Sequence, residues 1–255
     1  MKTQDLVSNL NALLEIDSVV DYAPNGLQIE GRAEIHKVLT AVSASLAAVE
    51  EAVRVGADAL LVHHGYFWKS ESPQIVGIKR QRIAALLSNN INLLAYHLPL
   101  DLHPLLGNNA LIGKDFAASF ALENISQDPR EKLLNFGEIA ASKPALSATE
   151  LALHLERIFA RKAQFVGNLG RKIRKIAWCS GAGQDFILRA AALGADAFIS
   201  GEHSERSFHE ACESGIIYYS CGHHATERGG VRALSTYLCE QYCLESDFYE
   251  QENPF

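Results

Sequence analysis

The sequence lacks several features that would place it in a common protein class. No run of about 18 apolar residues is present, so no segment is predicted to span a bilayer. The five cysteines form no Cys-x-x-Cys pair, which argues against a disulfide framework or a structural zinc knuckle. Gly-x-Ser-x-Gly and the full dinucleotide-binding glycine pattern are also absent. The N-terminal residues are polar and acidic rather than apolar, and we expect a cytoplasmic protein.

An excess of positive charge is missing as well. The formal net charge of the 255 residues is −7, and no basic stripe runs along any predicted element. Binding to a nucleic-acid backbone is therefore disfavoured, and no membrane partner is expected. The length permits one large α/β domain or two of ordinary size.

Short apolar segments alternate with segments of helical periodicity in the first half of the chain. Residues 37–43 and 59–62 are continuously apolar or β-branched, which is typical of strands buried on both faces. Helical spacing over 46–55 and 78–87 separates these strands from a third strand over 91–96. The order strand, helix, strand, helix, strand predicts right-handed βαβ units and a mostly parallel sheet.

The second half repeats this order, with strands predicted over 173–179, 197–200 and 216–220. Matched residues of the two halves differ by a constant residue number. The difference is 138 for Lys37 with Lys175 and for Gly56 with Gly194. After one deletion in the second half it is 126, for His97 with His223 and for Asp101 with Glu227. The chain is therefore predicted to contain an internal duplication. The predicted halves are residues 1–124 and 125–227, with a helix over 228–244 that can return to the first half. The acidic tail from residue 245 is predicted to be frayed.

Imidazoles and carboxylates are concentrated where the predicted strands end. His63 and His64 follow the second strand, and His97 follows the third, with Asp101 four residues later. In the second half His223 and Glu227 repeat the last spacing. Because ligands gather outside the carboxyl ends of parallel strands, we expect these residues to converge if the halves face each other. His224 and Glu227 form a competing pair.

Such a donor set predicts a pair of divalent metal ions in a cleft between two similar α/β halves. Imidazole and carboxylate ligands suit Zn, Mn, Fe, Co or Ni rather than a soft metal. Glu227 is the candidate for a bridging carboxylate. Other histidines are interpreted as ordinary hydrogen-bonded residues (His36, His103, His154 and His209), and His203 beside Glu202 is left open.

The ordered motifs together resemble the Nif-three-like family, whose bacterial members are labelled GTP cyclohydrolase I type 2 homologues. The motifs are Asn25-Gly26-Leu27-Gln28, the His63-His64 pair after Gly56-Ala57-Asp58, His97 with Asp101, and the stretch from Gly222 to Gly230. The chain is similar to the short, YbgI-type form nearly end to end. It departs from the commoner pattern in having Gly65 after the histidine pair and Leu98-Pro99-Leu100 before Asp101.

The resemblance implies a metal-ligand set and an assembly. Carried over by position, the metal ligands are His63, His64, Asp101, His223 and Glu227, with Glu227 shared, and His97 is either an extra ligand or a proton shuttle. The family also implies a toroidal homohexamer built from dimers.

The leading functional hypothesis is a dinuclear-metal hydrolase that opens the purine imidazole ring of GTP, with His97 as the catalytic residue. The alternative is a non-enzymatic protein that stores, delivers or senses metal, or serves as a scaffold ring. A measurement of enzymatic turnover distinguishes these two hypotheses, because only the first requires it.

Overall fold

The structure is a computed structural model and describes residues 1–254. Within that range the strands are β1 (Gly26–Ile29), β2 (Lys37–Ser43), β3 (Ala59–His64), β4 (Asn92–Ala95), β5 (Leu122–Gln127), β6 (Asn135–Ile139), β7 (Gln164–Gly167), β8 (Lys175–Trp178), β9 (Ala197–Ser200), β10 (Ile217–Ser220) and β11 (Glu245–Phe248). The α-helices are α1 (Thr3–Leu13), α2 (Leu46–Arg54), α3 (Gly77–Ser88), α4 (Leu98–Leu102), α5 (Asn108–Phe120), α6 (Ala148–Phe159), α7 (Ile187–Ala192), α8 (Glu205–Ser214) and α9 (His223–Tyr242). None of these described helices is long and apolar enough to cross a membrane.

The chain divides into two compact units. Unit 1 contains Met1–Gly107 and Arg228–Glu252, and unit 2 contains Asn108–Glu227 and the residues from Asn253 onward. Helix α9 crosses this division: its first turn belongs to unit 2 and the rest to unit 1. It begins at His223, so the helix is longer than the 228–244 segment predicted from periodicity.

Unit 1 is built on a five-stranded sheet with the order β1-β4-β3-β2-β11. All neighbours pair in parallel except β1 and β4. Alternate residues of β2 enter different cores: Val38 and Val42 pack with α1 and α9, whereas Leu39 and Ala41 pack with α2 and α3. Because helices cover both faces, β2 is apolar along nearly its whole length.

Unit 2 is built on a six-stranded sheet with the order β5-β6-β8-β9-β10-β7. Only β8-β9 and β9-β10 pair in parallel, so the expectation of a mostly parallel sheet is wrong for this unit. β5 and β6 form an antiparallel hairpin, which needs no helical crossover. Residues 122–170 therefore supply the strands of both sheet edges, β5 and β7.

The division between the units lies at Asn108 rather than at residue 125, because α5 packs in the core of unit 2. Phe116 stacks edge-on against Trp178 with 5.4 Å between ring centroids. The Trp178 indole donates a hydrogen bond to the carbonyl of Asn109 at 3.0 Å. Gly113 presents its backbone to the same ring, and a Cβ there would lie 2.9 Å from Trp178.

The internal duplication is visible in the backbone hydrogen bonds of each unit. In unit 1, the Asp58 carboxylate accepts hydrogen bonds from the backbone amides of His36 and Lys37 at 2.8 and 3.0 Å. In unit 2, Asp196 accepts from the amides of the equivalent residues, Arg174 and Lys175, both at 2.9 Å. An arginine also binds each carboxylate, Arg32 in unit 1 and Arg171 in unit 2.

The beginning of the acidic tail forms a strand, so the prediction of a frayed tail is wrong for Glu245 to Phe248. Glu245 to Phe248 form β11, which pairs in parallel with residues Lys37 to Thr40 of β2. The Arg232 guanidinium lies over the Phe248 ring at 4.6 Å. A strand edge with unpaired amides offers backbone hydrogen bonds to any extended segment, which outweighs the acidic composition of this one.

Candidate metal-binding site

Unit 1 gathers three histidines and a carboxylate at the carboxyl ends of its central strands. His63 and His64 end β3, while His97 follows β4 and directly precedes α4. Asp101 lies in the last turn of α4 and is buried, as are His63 and His97. Nitrogen atoms of His63, His64 and His97 lie within 4.8 Å of one another. These buried groups are therefore close enough to bind a metal ion.

The orientation of His63 is fixed by a backbone carbonyl. Its Nδ1 lies 2.9 Å from the carbonyl oxygen of Tyr96, which can only accept a hydrogen bond. Nδ1 therefore carries the proton, and Nε2 carries the lone pair in the neutral ring. Nε2 lies 3.5 Å from Oδ2 of Asp101. Two acceptor atoms at this separation repel each other unless a proton or a cation lies between them.

His97 is held by a carboxylate that sequence analysis missed. Its Nδ1 lies 2.9 Å from Oδ1 of Asp21, and Oδ2 of Asp21 accepts from the backbone amide of Leu98. Burial raises the pKa of Asp21, but hydrogen bonds from His97 and Asn25 outweigh burial and hold that pKa well below its usual range. Asp21 is therefore an anion that orients the His97 ring, as carboxylates do behind metal-binding histidines. No local motif marks Asp21, which lies 76 residues before His97.

An aromatic cluster adjoins these histidines. The Trp68 ring lies 5.0 Å from His97 and 5.9 Å from His64, centroid to centroid, and Tyr22 contacts both Trp68 and His97. Ser43 places its hydroxyl 3.0 Å from Nδ1 of His64. These contacts restrict the rotation of both rings.

In unit 2, His223 lies between two carboxylates at the start of α9. Its Nδ1 is 2.6 Å from Glu202 and its Nε2 is 3.0 Å from Glu227, while Glu227 itself is buried. Burial alone would lower the pKa of His223, but the hydrogen bonds with Glu227 and Glu202 outweigh it and raise the pKa to about 9. A proton thus joins Nε2 to Glu227 in the absence of metal, and a divalent ion competes for the same two atoms.

The Glu227 carboxylate packs against the backbone of the loop that follows β8, at Gly181. Gly181 has a φ of +59°, and a Cβ there would clash with Oε1 of Glu227. The amide of Gly181 donates to the hydroxyl of Thr226 at 3.0 Å. A glycine is therefore required at position 181 by the close approach of a site carboxylate.

The remaining sequence candidates have other roles. His203 pairs with the hydroxyl of Ser220 at 3.2 Å, whereas its neighbour Glu202 binds His223. His223, and not His224, makes the ion pair with Glu227, as the repeat register indicates.

The donor chemistry of each set fits divalent metal ions. His63, His97 and His223 each have Nδ1 hydrogen-bonded to a protein oxygen, which is the arrangement that presents Nε2 to a metal. Each unit also supplies a buried carboxylate, Asp101 or Glu227. No thiolate is needed, so borderline metals fit better than soft ones.

Comparison with known proteins places the whole chain among relatives of one kind. The family model described as Duf34/NIF3 (NGG1p interacting factor 3) matches residues 1–254. A "GTP cyclohydrolase 1 type 2 homolog" from Escherichia coli K12 is 48% identical over 255 residues, which cover all of both chains. A solved structure described as protein ybgI, of unknown function, has a TM-score of 0.92 at 47% identity and full coverage of both chains. TTHA1606 from Thermus thermophilus has a TM-score of 0.88 at 30% identity, again with full coverage.

Proposed function

The chain belongs to the DUF34/NIF3 family, and from this premise we propose that it is a dinuclear, divalent-metal-dependent hydrolase of the GTP cyclohydrolase type. In this proposal His63, His64 and Asp101 of unit 1 and His223 and Glu227 of unit 2 bind two ions, with Glu227 shared. The two donor sets then serve one centre. The name of the Escherichia coli relative suggests the substrate class, a purine nucleotide.

The matched arrangement of the two donor sets is the observation that carries the proposal. In each unit the Nδ1 of a histidine at the start of a helix is hydrogen-bonded to a carboxylate, Asp21 for His97 and Glu202 for His223. An acidic residue follows four positions later in both cases, Asp101 and Glu227. Such outer carboxylates fix the tautomer and raise the basicity of a ligating ring. Asp101 and Glu227 are buried, and buried carboxylates are usually balanced by a cation.

When bound, divalent ions lower the pKa of a coordinated water and polarise a substrate oxygen. The residues of the chain then have separate tasks. His97 keeps a proton on Nδ1 through Asp21, and Nε2 is the position at which it accepts and returns a proton during hydrolysis of the purine imidazole ring. The Asp21 carboxylate stabilises the imidazolium that forms when His97 is protonated.

Metal analysis of protein purified without added ions tests the ligand assignment. We expect two divalent ions per chain in the wild type. His63→Ala removes a ligand from unit 1 and Glu227→Ala removes one from unit 2, and each should lower the metal content by at least half. His209→Ala is the matched control, because His209 is exposed on α8, pairs with Glu205 and belongs to neither donor set. Wild-type metal content in Glu227→Ala would reject the shared centre.

Turnover of GTP tests the reaction. Metal-loaded protein should consume GTP with one defined ring-opened product, and His97→Gln should lower the rate by about 10²- to 10⁴-fold while the metal content is retained. Loss of metal in His97→Gln would make His97 a ligand instead of the proton carrier. Tightly bound metal without turnover of any nucleotide would favour the storage, delivery or scaffold role.

The assembly is part of the proposal. We expect a toroidal homohexamer, with a mass in solution six times the 27.9 kDa of one chain. Light scattering coupled to size-exclusion chromatography measures this mass directly. The mass of a monomer at micromolar concentration would contradict the predicted hexamer.

A further inference from the structure

Unit 2 contains a cavity of about 530 Å³ beside His223. The loops that follow β9 and β10 form one wall through Gly201, Glu202 and Gly222, and Gln164 at the start of β7 lies opposite. The carboxyl ends of parallel strands are where open α/β sheets bind ligands. The position therefore favours a ligand site over an accidental gap.

Arg161 is the positively charged residue of this cavity. It follows α6 by two residues and is half-buried. Within residues 1–254, its guanidinium Nη1 is buried and has no hydrogen-bond partner, and no carboxylate in that range forms an ion pair with Arg161. Because the guanidinium charge is not neutralised within that range and Arg161 lines the cavity, an anion held in the cavity would supply the missing counter-charge.

The side chain of Arg161 is held in place by a glycine. A Cβ at Gly222 would lie within 2.8 Å of Cδ and Cζ of Arg161, and Gly222 has a φ of +95°. Any larger residue at position 222 would displace the guanidinium. The cavity is thus shaped around Arg161, and the next residue in the chain after Gly222 is the candidate metal ligand His223.

The groups near Arg161 complete a site for an oxyanion. Gln164 brings a side-chain amide, and His203, whose Nδ1 lies 3.2 Å from the Ser220 hydroxyl, brings an imidazole. Glu202 is the acidic member of the wall, and its Oε1 is engaged with His223 at 2.6 Å. The cavity therefore offers hydrogen-bond donors beside the Arg161 guanidinium, whose charge is not neutralised by another described residue.

We propose that this cavity is an anion subsite in which Arg161 binds a phosphate group. The assignment of that phosphate to the substrate rests on the proposed function, but the binding of phosphate does not. The expected ligand class is a phosphorylated small molecule whose remaining part extends toward His223.

Titration of inorganic phosphate into the full-length protein tests the subsite, with the protein both as purified and after treatment with a chelator. Arg161→Met removes the charge and keeps an apolar side chain of similar length. Arg157→Met is the matched control, because Arg157 is exposed on α6 and its loss changes the net charge equally. Wild type and Arg157→Met should bind phosphate alike, and Arg161→Met should bind at least about tenfold more weakly, by calorimetry. Arg161→Lys, which keeps the charge, should lie between them.

Comparison of GMP with guanosine identifies the source of the phosphate. If Arg161→Met weakens GMP binding but leaves guanosine binding unchanged, the subsite holds the phosphate of an organic ligand; an effect on inorganic phosphate alone assigns it to the free anion. Equal phosphate binding by wild type and Arg161→Met, or none by wild type, would overturn the proposal. Because the chelator-treated protein contains no metal, its phosphate binding can be interpreted even if the proposed metal centre is wrong.

Discussion

The two units share a backbone frame and differ in the side chains placed at its functional edge. Asp58 and Asp196 bind equivalent amides, and His97 and His223 are matched residues at the start of a helix. Yet β3 ends in two histidines, whereas β9 is followed by Gly201 and Glu202. Both units thus keep the aspartate that binds the strand-end amides. The candidate metal-binding side chains differ: they are mainly imidazoles in unit 1 and mainly carboxylates in unit 2.

The strands that flank the shared frame also differ. Unit 1 completes its sheet with β11, in parallel with β2, whereas unit 2 adds an antiparallel hairpin and β7. The core of unit 2 that holds α5 contains the fully buried Trp178, whereas Tyr96 is a large aromatic buried in the core of unit 1. These differences predict where the units should respond alike to mutation and where they should not.

The largest expected effect is in the core of unit 2. Trp178→Ala removes a fully buried indole and should destabilise the protein by about 3–5 kcal/mol. Since Trp178 contacts α5, hydrogen exchange should accelerate over residues 108–120, while α2 in unit 1 keeps its wild-type rates. Unchanged exchange in α5 would contradict the division at Asn108.

A smaller and more symmetrical effect is expected at the two aspartate anchors. Asp58→Asn and Asp196→Asn each replace an acceptor of two backbone amides and an arginine, at a cost of about 1–3 kcal/mol. Urea unfolding measures both. Asp185→Asn is the control, because Asp185 is exposed and pairs only with Arg206. If Asp196→Asn behaves like the control while Asp58→Asn does not, the anchors are not equivalent.

The smallest effect expected at neutral pH concerns an acid-sensitive ion pair of unit 2, between Asp128 and Arg189. Hydrogen bonds from Arg189 lower the pKa of Asp128 to about 2, despite its burial. The ion pair therefore stabilises the folded chain fully above the unfolded pKa of about 4, and this contribution is lost as the pH falls through 2. Asp128→Asn should be less stable than wild type at pH 7, with a gap that closes between pH 4 and 2. A gap that is constant with pH would assign the loss to packing.

Much of the frame follows from local sequence. The bounds of β2 and β9 agree with the prediction because continuous β-branched and apolar residues fit only strands that are covered on both faces. Ser147 and Glu150, three residues apart in the sequence, form a capping box at the start of α6. β11 was missed because its stability comes from pairing with β2, about 200 positions earlier in the chain, and not from its own composition.

Sequence reasoning selected the candidate donors but not the residues that position them. His63, His97, His223 and the acidic residues were selected because repeat register and strand ends mark them, and their binding of metal stays a prediction. Asp21 and Gly181 were assigned no site role because their importance arises from contacts across the fold: Asp21 reaches His97, and Gly181 makes room for Glu227. Residues that position a ligand from elsewhere in the chain lie at no fixed sequence distance from it, so no motif marks them.

Anomalous scattering from crystals grown with a divalent metal tests the central claim most directly. The account predicts two strong anomalous peaks per chain, with Nε2 of His63 and Nε2 of His223 among their ligands and Glu227 shared by both ions. Peaks confined to exposed histidines such as His36 and His209, with none at His63 or His223, would contradict it.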